Sequence, residues 1–195
     1  MGAKRLYIVR HGQTQFNAEQ RLQGQCNSDL TVLGQKQAQA IGRSLAQKVN
    51  LNEWPVICSP LGRAVETARW ITAELGGSPE SIRTDKRLME FSLGDWEAKA
   101  APEIKAMHPE FAERRDWYLE APNAESLQAV KQRLHHWLDD AEIPEQVIVI
   151  SHALTGSVLR GILTCLPDSD IFLQPRPQDG YFYVDEGVIS QFDCL

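Results

Sequence analysis

The chain has 195 residues, of which 43% are hydrophobic and 24% charged, so it has enough apolar surface for a globular core and is not a disordered chain. Its 20 Lys and Arg residues against 26 Asp and Glu residues give a net charge of −6, which provides no positive field for nucleic acid or an anionic membrane surface. The apolar runs are far shorter than the about 20 residues of a membrane span, and no signal-peptide pattern opens the chain. We therefore expect a soluble cytoplasmic protein whose four cysteines, which lack CxxC spacing, are reduced and mostly buried.

Strand-like and helix-like patterns alternate along the chain, which is typical of an α/β fold. The first half predicts two βα units, with strands at 6–9 and 54–58 and helices at 34–49 and 64–75. The second half predicts an edge strand at 82–88, helices at 124–138 and 154–163, a buried strand at 147–150 and closing strands at 181–184 and 188–192. Residues 92–121 show no clean period and are interpreted as an insertion that supplies a lid and pocket walls. We expect one domain over residues 1–195.

Polar residues follow three of the predicted strands. Arg10 and His11 come directly after the first strand, Arg63 shortly after the second, and His152 after the strand at 147–150. Because the carboxyl ends of parallel strands meet at one edge of a sheet, we expect these side chains to converge. Guanidinium groups match phosphate oxygens, and helix N-termini after the strands add backbone N–H donors. The sequence therefore predicts a phosphoryl-binding site at this edge.

The residue types at this edge suit phosphoryl transfer without a metal. A neutral imidazole can attack phosphorus, and a second, protonated histidine can stabilise the equatorial oxygens. Glu90 stands after the third predicted strand between apolar neighbours, which favour a protonated carboxyl that acts as general acid and then as base for water. No acidic or histidine cluster has metal-ligand spacing, so we expect neither a metal nor a cofactor.

Several ordered motifs resemble the histidine phosphatase superfamily, also called phosphoglycerate mutase-like. Residues 10–14, RHGQT, with Asn17 resemble its first signature, and residues 59–68, SPLGRAVETA, resemble its second. The resemblance implies a three-layer α/β sandwich with a mixed, mostly parallel central sheet and helices on both faces. It also implies that His11 is the phosphorylated nucleophile and Glu90 the proton donor. The implied phosphate pocket comprises Arg10, Asn17, Arg63, His152 and Ala153, the last standing where the family often has glycine.

The same motifs leave the fate of the phosphoryl group open. Mutases of this superfamily resemble R-H-G-E-S-x-W-N after the first strand and carry an R-H-Y-G type segment after the acid, where this chain has FSLG at 91–94. The insertion is also short, and the chain ends soon after its last predicted strand. We therefore predict a histidine acid phosphatase-type phosphomonoesterase acting on a small phosphorylated metabolite, with selectivity set by residues 96–118. A cofactor-dependent phosphoglycerate mutase is the alternative, and a non-catalytic phospho-ligand binding domain is a third.

A cysteine phosphatase is not favoured by the sequence. Only four residues separate Cys58 from Arg63, whereas the loop of that class has five, so it would not surround phosphate in the same way. No Walker A motif is present either. Neither nucleic acid nor a membrane is expected as a partner.

Overall fold

The computed structural model describes residues 4–195, and its centre is one mixed six-stranded sheet. Four strands are parallel and pair in the order β3, β2, β4 and β1; β5 and β6 continue the sheet antiparallel beyond β1. The bounds are β1 Arg5–Arg10, β2 Val56–Cys58, β3 Arg83–Thr84, β4 Gln146–Ser151, β5 Gly180–Asp185 and β6 Val188–Asp193. The sequence prediction of a mixed, mostly parallel α/β sheet is therefore confirmed.

Helices cover both faces of this sheet because its central strands are apolar on both sides. The helices are α1 Gln15–Ala18, α2 Val32–Ala46, α3 Gly62–Glu74, α4 Ala101–Met107, α5 Leu127–Leu138 and α6 Ala153–Leu163. On one face, α2 and α3 pack against Val9 and Ile150, and on the other, α5 and α6 pack against Ile8 and Val149. Alternate residues of β1 and β4 thus enter two separate cores.

The register of the parallel strands brings their carboxyl ends to one edge. Val9 of β1 pairs with Ile150 of β4, and Cys58 of β2 pairs with the same Ile150. The ladder continues one residue further, where the His11 N–H donates to Ser151 O at 3.0 Å. The segments that follow β1, β2 and β4 therefore start at the same level of the sheet.

The predicted edge strand at 82–88 is correct in place but wrong in length. Only Arg83 and Thr84 pair with β2, and both side chains are exposed. Asp85 then accepts a hydrogen bond from Arg87 N at 2.9 Å and caps a 3₁₀ turn over Lys86–Leu88. Because this local cap competes with strand extension, Glu90 lies in a loop and not directly at a strand end.

The predicted insertion at 92–121 contains α4 and three 3₁₀ turns, Gly94–Trp96, Pro109–Phe111 and Trp117–Glu120. Its aromatic side chains pack together, with the rings of Trp96 and Trp117 5.7 Å apart and those of Trp96 and Phe111 5.9 Å apart. Trp117 and Tyr118 are both buried in the core that α5 and α6 share. The insertion is therefore a packed layer over one end of the sheet.

The expectation that the cysteines are mostly buried is wrong. Cys58 lies inside β2 and is buried, whereas Cys165 is exposed and Cys26 and Cys194 are half-buried. Cys26 and Cys165 lie in irregular segments, and Cys194 near the chain end packs against the edge of one core. All four are unpaired. No helix within residues 4–195 has the length and apolar character needed to cross a bilayer.

Candidate active site

His11 follows β1 and is held in one tautomer by two hydrogen bonds. Its Nδ1 lies 2.8 Å from Gly12 O, and because a carbonyl can only accept, Nδ1 carries the proton. The Nε hydrogen of Arg63 points at His11 Nε2 at 3.2 Å, so Nε2 offers its lone pair. Burial, reinforced by Arg63 and Arg10, lowers the pKa of His11 well below 6.5. The ring is therefore neutral at physiological pH, with the reactive lone pair on Nε2.

The position after His11 requires a glycine. A Cβ on Gly12 would overlap the backbone carbonyl of Gly34 in the first turn of α2, so only glycine permits this close approach. The Gly12 N–H donates to Thr67 Oγ1 at 3.1 Å, and Thr67 in turn donates to Arg63 O at 2.7 Å. These contacts join the turn after β1 to α2 and α3 and fix the position of His11.

Arg63 lies in the first turn of α3 and is only 1% exposed. Besides His11, it donates to two backbone carbonyls, from Nη1 to Cys26 O at 2.8 Å and from Nη2 to Gly24 O at 2.7 Å. The loop that carries those carbonyls is anchored by Glu97, which accepts from Gln25 N at 2.9 Å and from Cys26 N at 3.0 Å. The guanidinium is therefore oriented by a loop that itself depends on a carboxylate from the insertion.

His152 follows β4 and faces His11, with ring centroids 5.2 Å apart. The ring is 1% exposed, and neither nitrogen has a hydrogen-bond partner among residues 4–195. Burial and the positive charge of Arg63 lower the pKa of His152 well below 6.5, so among protein groups alone the ring is neutral. The protonated state expected from the sequence thus requires a bound anion. Buried polar atoms are nearly always paired, so the two ring nitrogens of His152 are available to hydrogen-bond a bound anion.

Arg10 contributes a second guanidinium at the end of β1. Its Nη1 donates to Arg176 O at 2.7 Å, and its buried Nε has no partner among the described residues. Burial lowers the pKa of Arg10 to about 10, which leaves the group charged at neutral pH. Arg10 therefore brings an uncompensated donor to the site.

Glu90 is 6% exposed and is bound by the N-terminus of α6. Its Oε1 accepts from Phe91 N at 3.1 Å and from the N–H and hydroxyl of Thr155 at 2.9 and 3.0 Å. Its Oε2 accepts from Leu154 N at 3.1 Å. The N–H groups of Leu154 and Thr155, the second and third residues of α6, are therefore bound to the Glu90 carboxyl group and are not free for phosphate. Oε2 accepts one hydrogen bond, whereas Oε1 accepts three, so Oε2 is the oxygen that can carry a proton.

These side chains surround a cavity of about 170 Å³. Six of the seven predicted residues line it, namely Arg10, His11, Asn17, Arg63, Glu90 and Ala153. His152 lines an adjoining cavity of about 10 Å³ that shares Arg10 and Ala153 with the first. The structure therefore brings every predicted site residue together, and Glu90 is the only carboxylate in the lining.

Asn17 occupies a more constrained position than predicted. It sits in the short helix α1, where Thr14 caps the first turn, and its Oδ1 accepts from Thr14 N at 3.2 Å. The same oxygen accepts from Gln178 Nε2 at 2.9 Å. The part of Asn17 available to an anion is therefore its amide nitrogen. Among residues 4–195, no group of three or more His, Cys, Asp or Glu side chains is placed to hold a metal ion.

Sequence reasoning did not assign a site role to Arg21, Leu22, Gln23, Gly24 and Leu154 of the lining, whereas Leu93 and Tyr118 belong to the insertion at 92–121 that was predicted to supply pocket walls. It also missed the segment between α6 and β5, where Gln178 bonds Asn17 and Arg176 Nη1 donates to the Tyr118 hydroxyl at 2.9 Å. In the sequence, Pro175 and Pro177 of this segment indicate only an irregular connection. Tyr118 lies at the end of the segment predicted to set selectivity.

Comparison with known proteins identifies the class to which this fold and site belong. The family model described as histidine phosphatase superfamily (branch 1) matches residues 6–174, and this chain belongs to that superfamily. It is 41% identical over 109 residues, 56% of this chain, to a glucosyl-3-phosphoglycerate phosphatase from Mycolicibacterium vanbaalenii, although the match covers only 46% of that protein. It is 31% identical to a Salmonella arizonae protein named probable phosphoglycerate mutase GpmB, over 83% of this chain and 75% of that one.

A solved structure agrees over the whole chain. The mycobacterial glucosyl-3-phosphoglycerate phosphatase in complex with VO3 superposes with a TM-score of 0.78 at 27% identity, covering 99% of this chain and 98% of the other. The fold and family predicted from the motifs are therefore confirmed.

Proposed function

We propose that this protein is a phosphomonoesterase of the histidine acid phosphatase type that hydrolyses a small phosphorylated metabolite through a phosphohistidine on His11, without a metal ion. The observation that carries the proposal is the Nε2 lone pair of His11, fixed by Gly12 O and Arg63. His11 lies in a cavity lined by three guanidiniums, those of Arg10, Arg21 and Arg63, and a single carboxylate. The similarity of this chain to a mycobacterial phosphatase over nearly its full length supports phosphatase activity.

In the first step, the His11 Nε2 lone pair attacks phosphorus, and the N–P bond forms as the P–O ester bond breaks. Arg10, Arg63 and His152 bind the equatorial oxygens, where negative charge is concentrated. The leaving oxygen takes a proton from Glu90 Oε2 and departs as an alcohol. The bound phosphoryl group also becomes the hydrogen-bond partner of the His152 ring, and its negative charge favours the protonated form of that ring.

In the second step, water attacks the phosphorus of the phosphohistidine. The Glu90 carboxylate now takes the proton from that water, and the electron pair of the breaking N–P bond returns to His11 Nε2. Inorganic phosphate leaves, and Glu90 is again protonated. The cycle therefore restores both groups and consumes one water for each alcohol released.

The dimensions of the site support a small substrate. A cavity of about 170 Å³ accommodates a phosphoryl group and a few further atoms, and Leu93 and Tyr118 form part of its wall. The insertion that carries both residues is thus placed to select the leaving group. We further propose a cytoplasmic location. Because the chain has a net charge of −6, we also propose that neither nucleic acid nor a membrane is a partner.

A phosphoglycerate mutase is the second candidate, favoured by the 31% identity to the Salmonella arizonae protein. Its reaction would share His11 and Glu90 but would return the phosphoryl group to a bound hydroxyl instead of water. A panel of phosphorylated metabolites, scored for free phosphate beside a coupled mutase assay, separates the two. Interconversion of phosphoglycerates with little phosphate release would overturn the hydrolase.

The central experiment tests the covalent intermediate. The protein is assayed with p-nitrophenyl phosphate in excess EDTA, and a parallel reaction is acid-quenched for detection of phosphohistidine. We expect activity to be retained in EDTA and the label to be lost in His11→Ala, whereas His135→Ala, a change on the exposed face of α5, retains both. Dependence on an added cation, or an undiminished label in His11→Ala, would overturn the proposal, and turnover itself excludes a non-catalytic binding domain.

A further inference from the structure

A second and larger cavity adjoins the one that holds His11. Its volume is about 460 Å³, and it is lined by Asn17, Gln20, Arg21, Leu22, Ala101, Pro102, Lys105 and Trp117. Asn17, Arg21 and Leu22 line both cavities. The two spaces therefore form one groove that runs from the phosphoryl site outward over α4, and we call the outer part the distal groove.

The distal groove has a well-defined backbone. Arg21 and Ala100 form an isolated antiparallel bridge, flanked by hydrogen bonds from Ala101 N to Gln20 O and from Leu22 N to Lys99 O, both at 2.9 Å. Because α4 begins at Ala101, Lys105 lies one turn later on the same side of the helix. The pairing of residues 20–22 with 99–101 thus brings Arg21 beside the start of α4, and both Arg21 and Lys105 line the groove.

The charge of the distal groove is opposite to that of the chain. Arg21 and Lys105 are its only charged residues, whereas the whole chain has a net charge of −6. The Lys105 ammonium lies 5.4 Å from the Trp117 ring centre, and the Arg21 guanidinium lies 4.9 Å from that of Phe16. These contacts orient the two cations without neutralising them. The Glu19 carboxylate lies 3.9 Å from Arg21 Nη1 and is half exposed, which makes it a weak competitor.

We infer that the leaving group of the substrate occupies the distal groove and carries a second anionic group, a carboxylate or a further phosphate, held by Arg21 and Lys105. Leu22 and Trp117 provide the apolar wall between the two anion sites. This inference rests on the proposed function, since it takes the phosphoryl group to be at His11. It specifies the substrate class as phosphomonoesters with a second negative charge beyond the scissile ester.

Matched pairs of substrates test this class. Phenyl phosphate is compared with 4-carboxyphenyl phosphate, and glycerol 3-phosphate with 3-phosphoglycerate, because the members of each pair differ in a carboxylate. Fructose 6-phosphate and fructose 1,6-bisphosphate form the phosphate arm. We expect at least one anionic member to have a KM about 5- to 20-fold below its partner, the range of one or two charge-assisted hydrogen bonds. The arm that shows the preference identifies carboxylate or phosphate.

The variants assign the preference to the groove. Lys105→Gln and Arg21→Gln should each remove most of the KM difference within that pair, and Lys105→Arg should retain it. Lys99→Gln is the matched control, because it removes one positive charge from an exposed side chain on the same segment outside the groove. Equal KM values within all three pairs, or a preference that survives both neutral variants, would overturn the inference while leaving the hydrolase in place. If no compound is turned over, the proposed function fails, and calorimetric titration of the same pairs into His11→Ala still decides whether the groove prefers the anionic member.

Discussion

The Nε hydrogen of Arg63 points at Nε2 of His11 across 3.2 Å, while the two Nη atoms of the same guanidinium are bound to the carbonyls of Gly24 and Cys26. Arg63 therefore has two effects on His11. It keeps a proton off the nitrogen that must attack phosphorus, and it presents a fixed positive charge beside that nitrogen.

Arg63→Lys tests this relationship. Lysine keeps the charge but has no planar fork, so it cannot bind both carbonyls and face Nε2 in the same geometry. We expect kcat/KM for p-nitrophenyl phosphate to fall by about 10²–10³-fold, the usual effect of losing one oriented donor to a developing charge. Steady-state kinetics measure the loss, and Arg69→Lys on the exposed side of α3 is the control. A loss below about threefold would contradict the role assigned to the fork.

Glu90→Gln tests the proton donor. The amide cannot supply a carboxylic proton, so turnover of an alkyl phosphate should fall by about 10²–10⁴-fold. The loss should be much smaller for p-nitrophenyl phosphate, whose leaving group departs without a proton. A plot of log kcat against the pKa of the leaving alcohol should therefore be steeper for the variant. An equal loss on both substrates would place the acid elsewhere.

Glu97→Gln separates positioning from proton transfer. Glu97 accepts from Gln25 N and Cys26 N and so holds the loop that orients Arg63, and it also accepts from Leu93 N at 3.0 Å. Replacing one carboxylate oxygen by an amide N–H₂ group places a donor opposite a backbone donor, and at this half-buried site we expect a cost of about 1 kcal/mol. We expect kcat to fall by about 10-fold or more, and equally for good and poor leaving groups, because Arg63 acts on the phosphoryl group. A leaving-group dependence like that of Glu90→Gln would show Glu97 to be an acid, and Glu103→Gln on the exposed side of α4 is the control.

The lowered pKa of His152 predicts how stability depends on pH. Its pKa in the folded protein lies below the ordinary value of 6.5, so the unfolded chain binds the extra proton more readily. The stabilisation is complete above about pH 6.5 and is lost as the pH falls from there toward the pKa of the folded state. Between pH 6.5 and 5.5 the wild-type free energy of unfolding should fall by about 1 kcal/mol more than that of His152→Gln. Urea titrations in phosphate-free buffer measure the difference, His136→Gln at an exposed position is the control, and parallel pH profiles for wild type and His152→Gln would contradict the prediction.

The regular elements were predictable where local signals agreed. The short apolar runs of β1 and β4 and the helical periods of α2, α3 and α6 needed no knowledge of their neighbours. The helix predicted at 124–138 begins three residues later, at Leu127, because Ser126 caps it and its Oγ accepts from Ala129 N at 3.1 Å. The predicted length of β3 was wrong because an edge strand is paired on one side only, and the cap at Asp85 ends the strand early.

The residues of the candidate site were predictable because strand ends and motif spacing are visible in one dimension. By itself, the sequence determined that Arg10, His11, Arg63 and His152 stand at carboxyl ends of parallel strands, since alternation and apolar runs set the strands. Only the tertiary structure decided that the N-terminus of α6 binds Glu90, a contact across 64 residues, and that Arg21 and Lys105 line the same groove. Such contacts depend on how separate elements pack, and no local pattern encodes the distance between side chains that approach only after the sheet and its insertion have assembled.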